Sequence, residues 1–315
     1  MKIGLYSISC SGVWFKDRPP LTVEEFADTA KKYGYEGVEL DLKRPHGSPL
    51  DLDAKRCKEI SAYVADKGLI MAGAAANNNF ASIVEEELEN ELLFVREQIR
   101  VCKDLGAPVL RLFAAWNGIV RVDGVATYER TRNRECYGAL GWQKRANVAK
   151  CLKEVVKYAE DAGIVLALQN HHPVIENYHD MLSFIRQVDS PWLKASFDAP
   201  CCGWTVKTQS DSYMEKAVRD VGSLQAISHA NAEFAQRADG SVYMVGFEGQ
   251  DEDTLTNYPV FIKTLKAIGY DGFINYEFCH MPERDGKILG YDDYIEDQIR
   301  LARIYFHNLI SVTKS

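Results

Sequence analysis

Short apolar runs recur along the chain, and each is followed by a polar stretch in which apolar residues return at helical spacing. The runs fall at 2–8, 37–42, 69–75, 108–113, 164–169, 193–198, 224–229 and 272–278, and each has the length of a buried strand. The intervening segments are amphipathic. In TVEEFADTAKKYG, Thr22 and Glu25 have capping-box spacing, and Phe26, Ala30 and Tyr33 mark one helix face. In NYPVFIKTLKAIG, Pro259 stands near a helix start, and Phe261, Leu265 and Ile268 follow at i, i+4 and i+7. Gly34, Gly68, Gly106, Gly163, Gly222 and Gly269 each close a helical pattern just before a strand, the position where a left-handed residue stops a helix.

Eight strand–helix units without a composition break or linker predict one α/β domain over 1–315, a single (β/α)8 TIM barrel. A doubly wound sheet is the weaker alternative, because YSISCSGVWF follows the first strand where that fold carries a glycine-rich phosphate loop. Helix-to-strand joints are short. The long connections, 114–141, 199–211, 230–253 and 279–291, all run from strand to helix, so they are expected on the C-terminal face. Segments 114–141 and 230–253 are expected to border one cleft, with Trp116 facing it and one of them serving as a lid. Trp14, Trp116, Trp142 and Trp204 lie in or beside these loops. They could cap the barrel, pack against a partner subunit, or stack on sugar rings.

Composition narrows the partners. The net charge is −8 and no basic run appears, which argues against nucleic acid and anionic membrane. No apolar run approaches a membrane span, and MKIGLYSISC reads as a strand rather than a signal peptide. The eight cysteines form no C-x-x-C pair, which fits reduced thiols and a cytoplasmic location.

Candidate chemistry gathers at the ends of the last four strands. Strand five ends in Gln169 within GIVLALQNHHP, strand six in Asp198, strand seven in His229 and strand eight in Glu277. Four such groups converging on one rim can hold a divalent cation that favours oxygen and imidazole ligands. His171 lies two residues beyond Gln169, on the same side of an extended chain, and could be a base or a ligand. Glu39 ends strand two, Arg111 lies in strand four, and His46 stands in KRPHGSP; with Trp14 and Trp116 these are candidate substrate contacts. For Arg111 a buried ion pair with Glu39 is the competing reading.

At KIGLYSIS, GYEGVEL, RANVAKCLKEVVKYAEDAG and GFINYEFCH the chain resembles the xylose-isomerase-like barrels, the sugar isomerase/epimerase superfamily, over essentially its whole length. The resemblance implies a divalent metal ion (Mn, Co, Mg or Zn) held by Glu, Asp, His and Glu from strands five to eight. On this chain it implies Asp198, His229 and Glu277 as ligands, and it sets Gln169 where the family has its first Glu. Many members carry a His shortly after the strand-six Asp, where Cys201 and Cys202 stand here. An amide at Gln169 still offers an oxygen but no charge, so the metal site becomes neutral and the ion a stronger Lewis acid.

The function expected is a metal-dependent sugar isomerase or epimerase that removes a proton beside the carbonyl of a sugar or keto-sugar, with His171 or Glu277 as base. Two alternatives stand beside it. One is a lyase or dehydratase acting on a keto-sugar or keto-glycoside by β-elimination. The other is a non-catalytic sugar-binding or partner subunit. The aromatic loops are compatible with a homo-oligomer.

Overall fold

The eight apolar runs form eight parallel strands: β1 Lys2–Tyr6, β2 Gly37–Asp41, β3 Ile70–Ala75, β4 Val109–Leu112, β5 Val165–Gln169, β6 Leu193–Ser196, β7 Gln225–Ala230 and β8 Phe273–Tyr276. They close into a barrel in chain order, with β8 paired back onto β1. The computed structural model describes residues 1–122, 124–127, 141–202, 209–247 and 250–312. Among these, eight helices surround the barrel: α1 Val23–Lys32, α2 Ala54–Asp66, α3 Glu85–Leu105, α4 Gly141–Ala162, α5 Tyr178–Val188, α6 Asp211–Val221, α7 Tyr258–Ala267 and α8 Glu296–Val312. None is long and apolar enough to cross a membrane.

Local sequence sets the helix ends. The Thr22 hydroxyl accepts from the Glu25 amide at 3.2 Å, and the Glu25 carboxylate accepts from the Thr22 amide at 2.8 Å, so the capping box forms. Gly106 closes α3 in the left-handed region at φ +71°, and the other five predicted stops also have positive φ.

Strand register sets the height of each side chain in the barrel. Tyr6 pairs with Glu39, Asn275 with His229, and Gln169 with Ser196. Gly4 pairs with Asn275, and a Cβ at Gly4 would collide with the Asn275 amide, so this glycine leaves room for a polar side chain inside the barrel. β6 stops at Ser196 and β8 at Tyr276, which puts Asp198 and Glu277 just beyond their strands, on the C-terminal rim.

Three small hairpins decorate the strand-to-helix connections: Val120–Val122 with Val125–Thr127, Glu233–Gln236 with Val242–Val245, and Glu283–Arg284 with Lys287–Ile288. The second departs from expectation. Phe234 exchanges backbone bonds of 2.7 and 3.2 Å with the Gln298 amide of α8, so the hairpin lies along that helix and adds no described residue to the cleft.

Candidate active site

His229 organises the barrel mouth. It is fully buried, and its ring lies flat on Tyr6 with centroids 5.0 Å apart. Nε2 donates to Glu39 Oε2 at 2.8 Å. That bond turns Nδ1 toward Asp198 and Glu277, whose nearest oxygens stand 3.8 and 3.6 Å away. Asp198 is gripped on every side. Its Oδ1 accepts from the His229 amide at 2.7 Å, its Oδ2 accepts from Gln169 Nε2, and its backbone exchanges two bonds with the Asn170 side chain. The structure therefore brings Gln169, Asp198, His229 and Glu277 together at one end of the barrel.

Burial and charge shift these groups. For His229 burial opposes ionisation, but Glu39, Glu277 and Asp198 overcome it and raise the imidazole to about 9. Burial likewise opposes the charge on Glu39, yet the His229 beside it holds this carboxyl below its usual range. Burial raises Glu277, partly offset by His229 and Arg111, and raises Asp198, partly offset by His229. The cluster is electrostatically short of a cation at Nδ1.

Does the donor set suit a divalent ion? Gln169 Oε1 and His229 Nδ1 are both buried without a hydrogen-bond partner. A neutral His229 with its proton on Nε2 would aim an Nδ1 lone pair at two carboxylates, an arrangement that a proton or a metal cation at Nδ1 reconciles. Separations of 3.6 and 3.8 Å match two ligands of one ion whose bonds are about 2.0–2.6 Å. Among the described residues no three His, Cys, Asp or Glu already close around one point. The donor types and the unmet bonds of Gln169 and His229 nevertheless fit a divalent cation. With an ion bound there, Glu39 would act from behind His229, as a carboxylate that fixes a ligand imidazole does.

A narrow cavity opens beside this cluster, bounded by Tyr6, Trp14, Arg111, Gln169, His171 and Glu277. Glu277 is the one carboxylate among its described lining residues. Arg111 is buried; it donates to the Ala76 carbonyl at 2.9 Å and to the Tyr6 hydroxyl at 3.1 Å. It forms no ion pair with Glu39, although the two fields interact. His171 stands edge-on to Phe113 and Trp116, at 5.0 and 5.3 Å, and burial, with His172 second, lowers it to about 3.

Two expected substrate contacts lie elsewhere. Glu39 is fully buried behind His229. His46 donates through Nε2 to the Leu21 carbonyl at 2.9 Å, packs on Phe26 and does not line the cavity. Trp116 does face it, whereas Trp142 is exposed on α4. Trp204 lies outside the described residues. The sequence reading missed Lys43 and Asn77, which line the cavity, and Asn275, whose amide donates to Glu39. A polar residue in the middle of the apolar run GFINYEF was the signal for Asn275.

Comparison with known proteins agrees with this architecture. A family model described as a xylose isomerase-like TIM barrel matches residues 27–303. Fructoselysine 3-epimerase from Shigella flexneri is 25% identical over 205 residues, 62% of this chain and 67% of that protein. The D-psicose 3-epimerase of Clostridium cellulolyticum H10, solved with D-tagatose, superposes with a TM-score of 0.69 at 16% identity, over 98% of this chain and 99% of that one. The E. coli 3-keto-D-glucoside 4-epimerase superposes with a TM-score of 0.65 at 18% identity, over 99% of both chains. With a barrel closed in chain order, its polar cluster at the C-terminal rim and a family match spanning most of its length, the chain belongs to the xylose isomerase-like TIM barrel family.

Proposed function

We propose that the protein is a sugar epimerase that works by removing a proton from the carbon beside a keto group. The observation that carries this is Glu277: it is the one carboxylate among the described residues that line the cavity, and burial raises it, which makes its ionised form a stronger base. Fructoselysine 3-epimerase, D-psicose 3-epimerase and 3-keto-D-glucoside 4-epimerase, to which the chain is similar, support the same substrate class. Gln169, Asp198, His229 and Glu277 would hold a divalent ion. When bound, that ion supplies Lewis acidity toward the oxygens of the substrate.

The remaining work falls to the chain. Arg111, fixed by the Ala76 carbonyl and the Tyr6 hydroxyl, presents a guanidinium to the cavity and can hold a sugar oxygen. Phe113, Trp116 and the edge of His171 form an apolar wall suited to a sugar face and to excluding water. Glu277 takes the proton.

One observation favours a second reading. Epimerisation must return a proton to the opposite face, and Gln169 cannot carry one. A single carboxylate is enough for β-elimination, so a keto-glycoside lyase remains the alternative. Incubating the Mn-loaded protein with keto-hexoses in D2O tests both. Epimerisation predicts one deuterium at the carbon beside the carbonyl, with inversion; elimination predicts release of the β-substituent. Glu277→Gln should lower exchange by about 10²–10⁴-fold with the circular dichroism unchanged. Absence of exchange with every keto-sugar offered to loaded protein would sink the proposal.

A further inference from the structure

Epimerisation beside Glu277 needs a second group that returns a proton from the other side of the carbon. Few of the described residues lining the cavity can give one up. Arg111 keeps its protons throughout the working range of pH. Tyr6 is pushed well above its usual range by burial and by Asp41, so its phenol yields a proton reluctantly. His171 spends its Nδ1 proton on the His172 carbonyl at 2.5 Å. Cys279 leaves the same strand end as Glu277 and so stands on the same wall. Lys43 remains, with three N–H bonds on a flexible stem.

The sequence of β2 delivers Lys43 to this cavity. Glu39, Asp41 and Lys43 follow one another at i, i+2 and i+4, so the alternation that turns Glu39 inward carries Lys43 to the rim on the same side. Polar neighbours hold it there. Its Nζ stands 3.4 Å from Oδ2 of the buried Asp41 and donates to Asn77 Oδ1 at 3.4 Å. The Asn77 amide in turn donates to Asp41 Oδ1 at 2.6 Å, and the Asp41 backbone amide donates to Ser7 Oγ at 2.8 Å. Asp41 Oδ2 has no hydrogen-bond partner among the described residues, so the ammonium beside it answers its charge. The Lys43 side chain is 26% exposed and also lines the open groove next to the cavity, so a proton that it loses can be replaced from water.

We propose that Lys43 is the catalytic acid that completes epimerisation, acting on the reacting carbon from the side opposite Glu277. The proposal rests on the epimerase reading of the cavity. In the ring of strands β8 and β2 flank β1, so a carbon seated over Tyr6 of β1 meets Glu277 from one side and Lys43 from the other. Glu277 takes the proton, and the electron pair of the C–H bond moves onto the neighbouring carbonyl oxygen. Lys43 then gives an N–H proton to the opposite face of the same carbon, and the pair returns to form the new C–H bond. Glu277 is left protonated and Lys43 neutral, and exchange with water resets both. A proton carrier on β2 makes one on β5 unnecessary, so a chain with Gln169 can still invert the centre.

Deuterium incorporation by the Mn-loaded protein tests it, with the keto-hexose that wild type epimerises. Two variants are compared. Lys43→Met keeps the length of the stem but has no proton to give. Lys43→Arg keeps a positive charge facing Asp41 yet holds its protons, and it carries the test should Lys43→Met fail to fold. In D2O both should invert the centre about 10²–10⁴-fold more slowly. Deuterium should still enter the starting ketose with retention, because Glu277 takes and returns a proton on its own face. The ratio of exchange to inversion therefore rises. Exchange and inversion falling together by one factor would make Lys43 a positioning residue and overturn the assignment, as would inversion at the wild-type rate in either variant. Both results leave the epimerase reading intact. A wild-type protein that exchanges nothing, or only releases a β-substituent, ends that reading and the role of Lys43 with it.

Discussion

Replacing Glu39 by Gln alters one atom in a fully buried side chain and tests what orients His229. In the native protein Glu39 Oε2 accepts from both His229 Nε2, at 2.8 Å, and the Asn275 amide. An amide oxygen in the same place can keep both bonds, but they lose the assistance of a full charge, which is worth about half of such a bond. The new NH2 would occupy the position of Oε1, which has no partner among the described residues, and a buried donor left unmet costs about 1–3 kcal/mol. The expected loss of stability is therefore about 1–3 kcal/mol, read as a fall of a few degrees in melting temperature. The imidazole also loses the carboxylate that fixes its proton on Nε2, so Nδ1 is no longer reserved as a lone pair. Affinity for Mn, measured by calorimetry on chelator-stripped protein, should fall about 10–100-fold. Glu39→Ala removes the acceptor from both donors and should cost more, about 3–5 kcal/mol. A Glu39→Gln protein that melts lower yet binds Mn as tightly as wild type would refute the reasoning, and would make Glu39 a structural residue only.

Gln169→Glu sets a second carboxylate against Asp198 Oδ2, where the amide now donates. The metal-free variant should melt below wild type, and the rise in melting temperature on adding Mn should exceed that of wild type. Equal Mn-induced shifts would remove Gln169 from the ligand set. Turnover should fall in the same variant, because a more neutralised ion is a weaker Lewis acid. Away from the site, Thr22→Ala breaks the capping box of α1 and should cost about 1 kcal/mol in denaturant unfolding with activity unchanged.

The barrel was legible because its signals are local. Strand-length apolar runs, helical periodicity, the Thr22–Glu25 cap and a glycine closing six helices each depend on neighbours in sequence, and each formed where predicted. The rim groups were legible for the same reason: a polar residue ending a buried strand of a barrel emerges at its mouth. What sequence could not decide is which of these groups face a substrate and which face one another. Glu39 and Arg111 read alike from the chain, but the register of β1 with β2 and of β7 with β8 places Glu39 level with Tyr6 and behind His229, sealed from the cavity. Arg111 instead lines it, held by Tyr6 rather than by Glu39. His46 binds the Leu21 carbonyl, a partner 25 residues away that no spacing rule reveals. The hairpin after β7 was expected over the cleft, and long-range bonds to Gln298 carry it to α8. Sequence determined the elements and the residue types delivered to the rim, because those follow from local burial and capping. Only the tertiary structure assigned partners, because the choice between two buried polar neighbours is made by strands that meet from opposite ends of the chain.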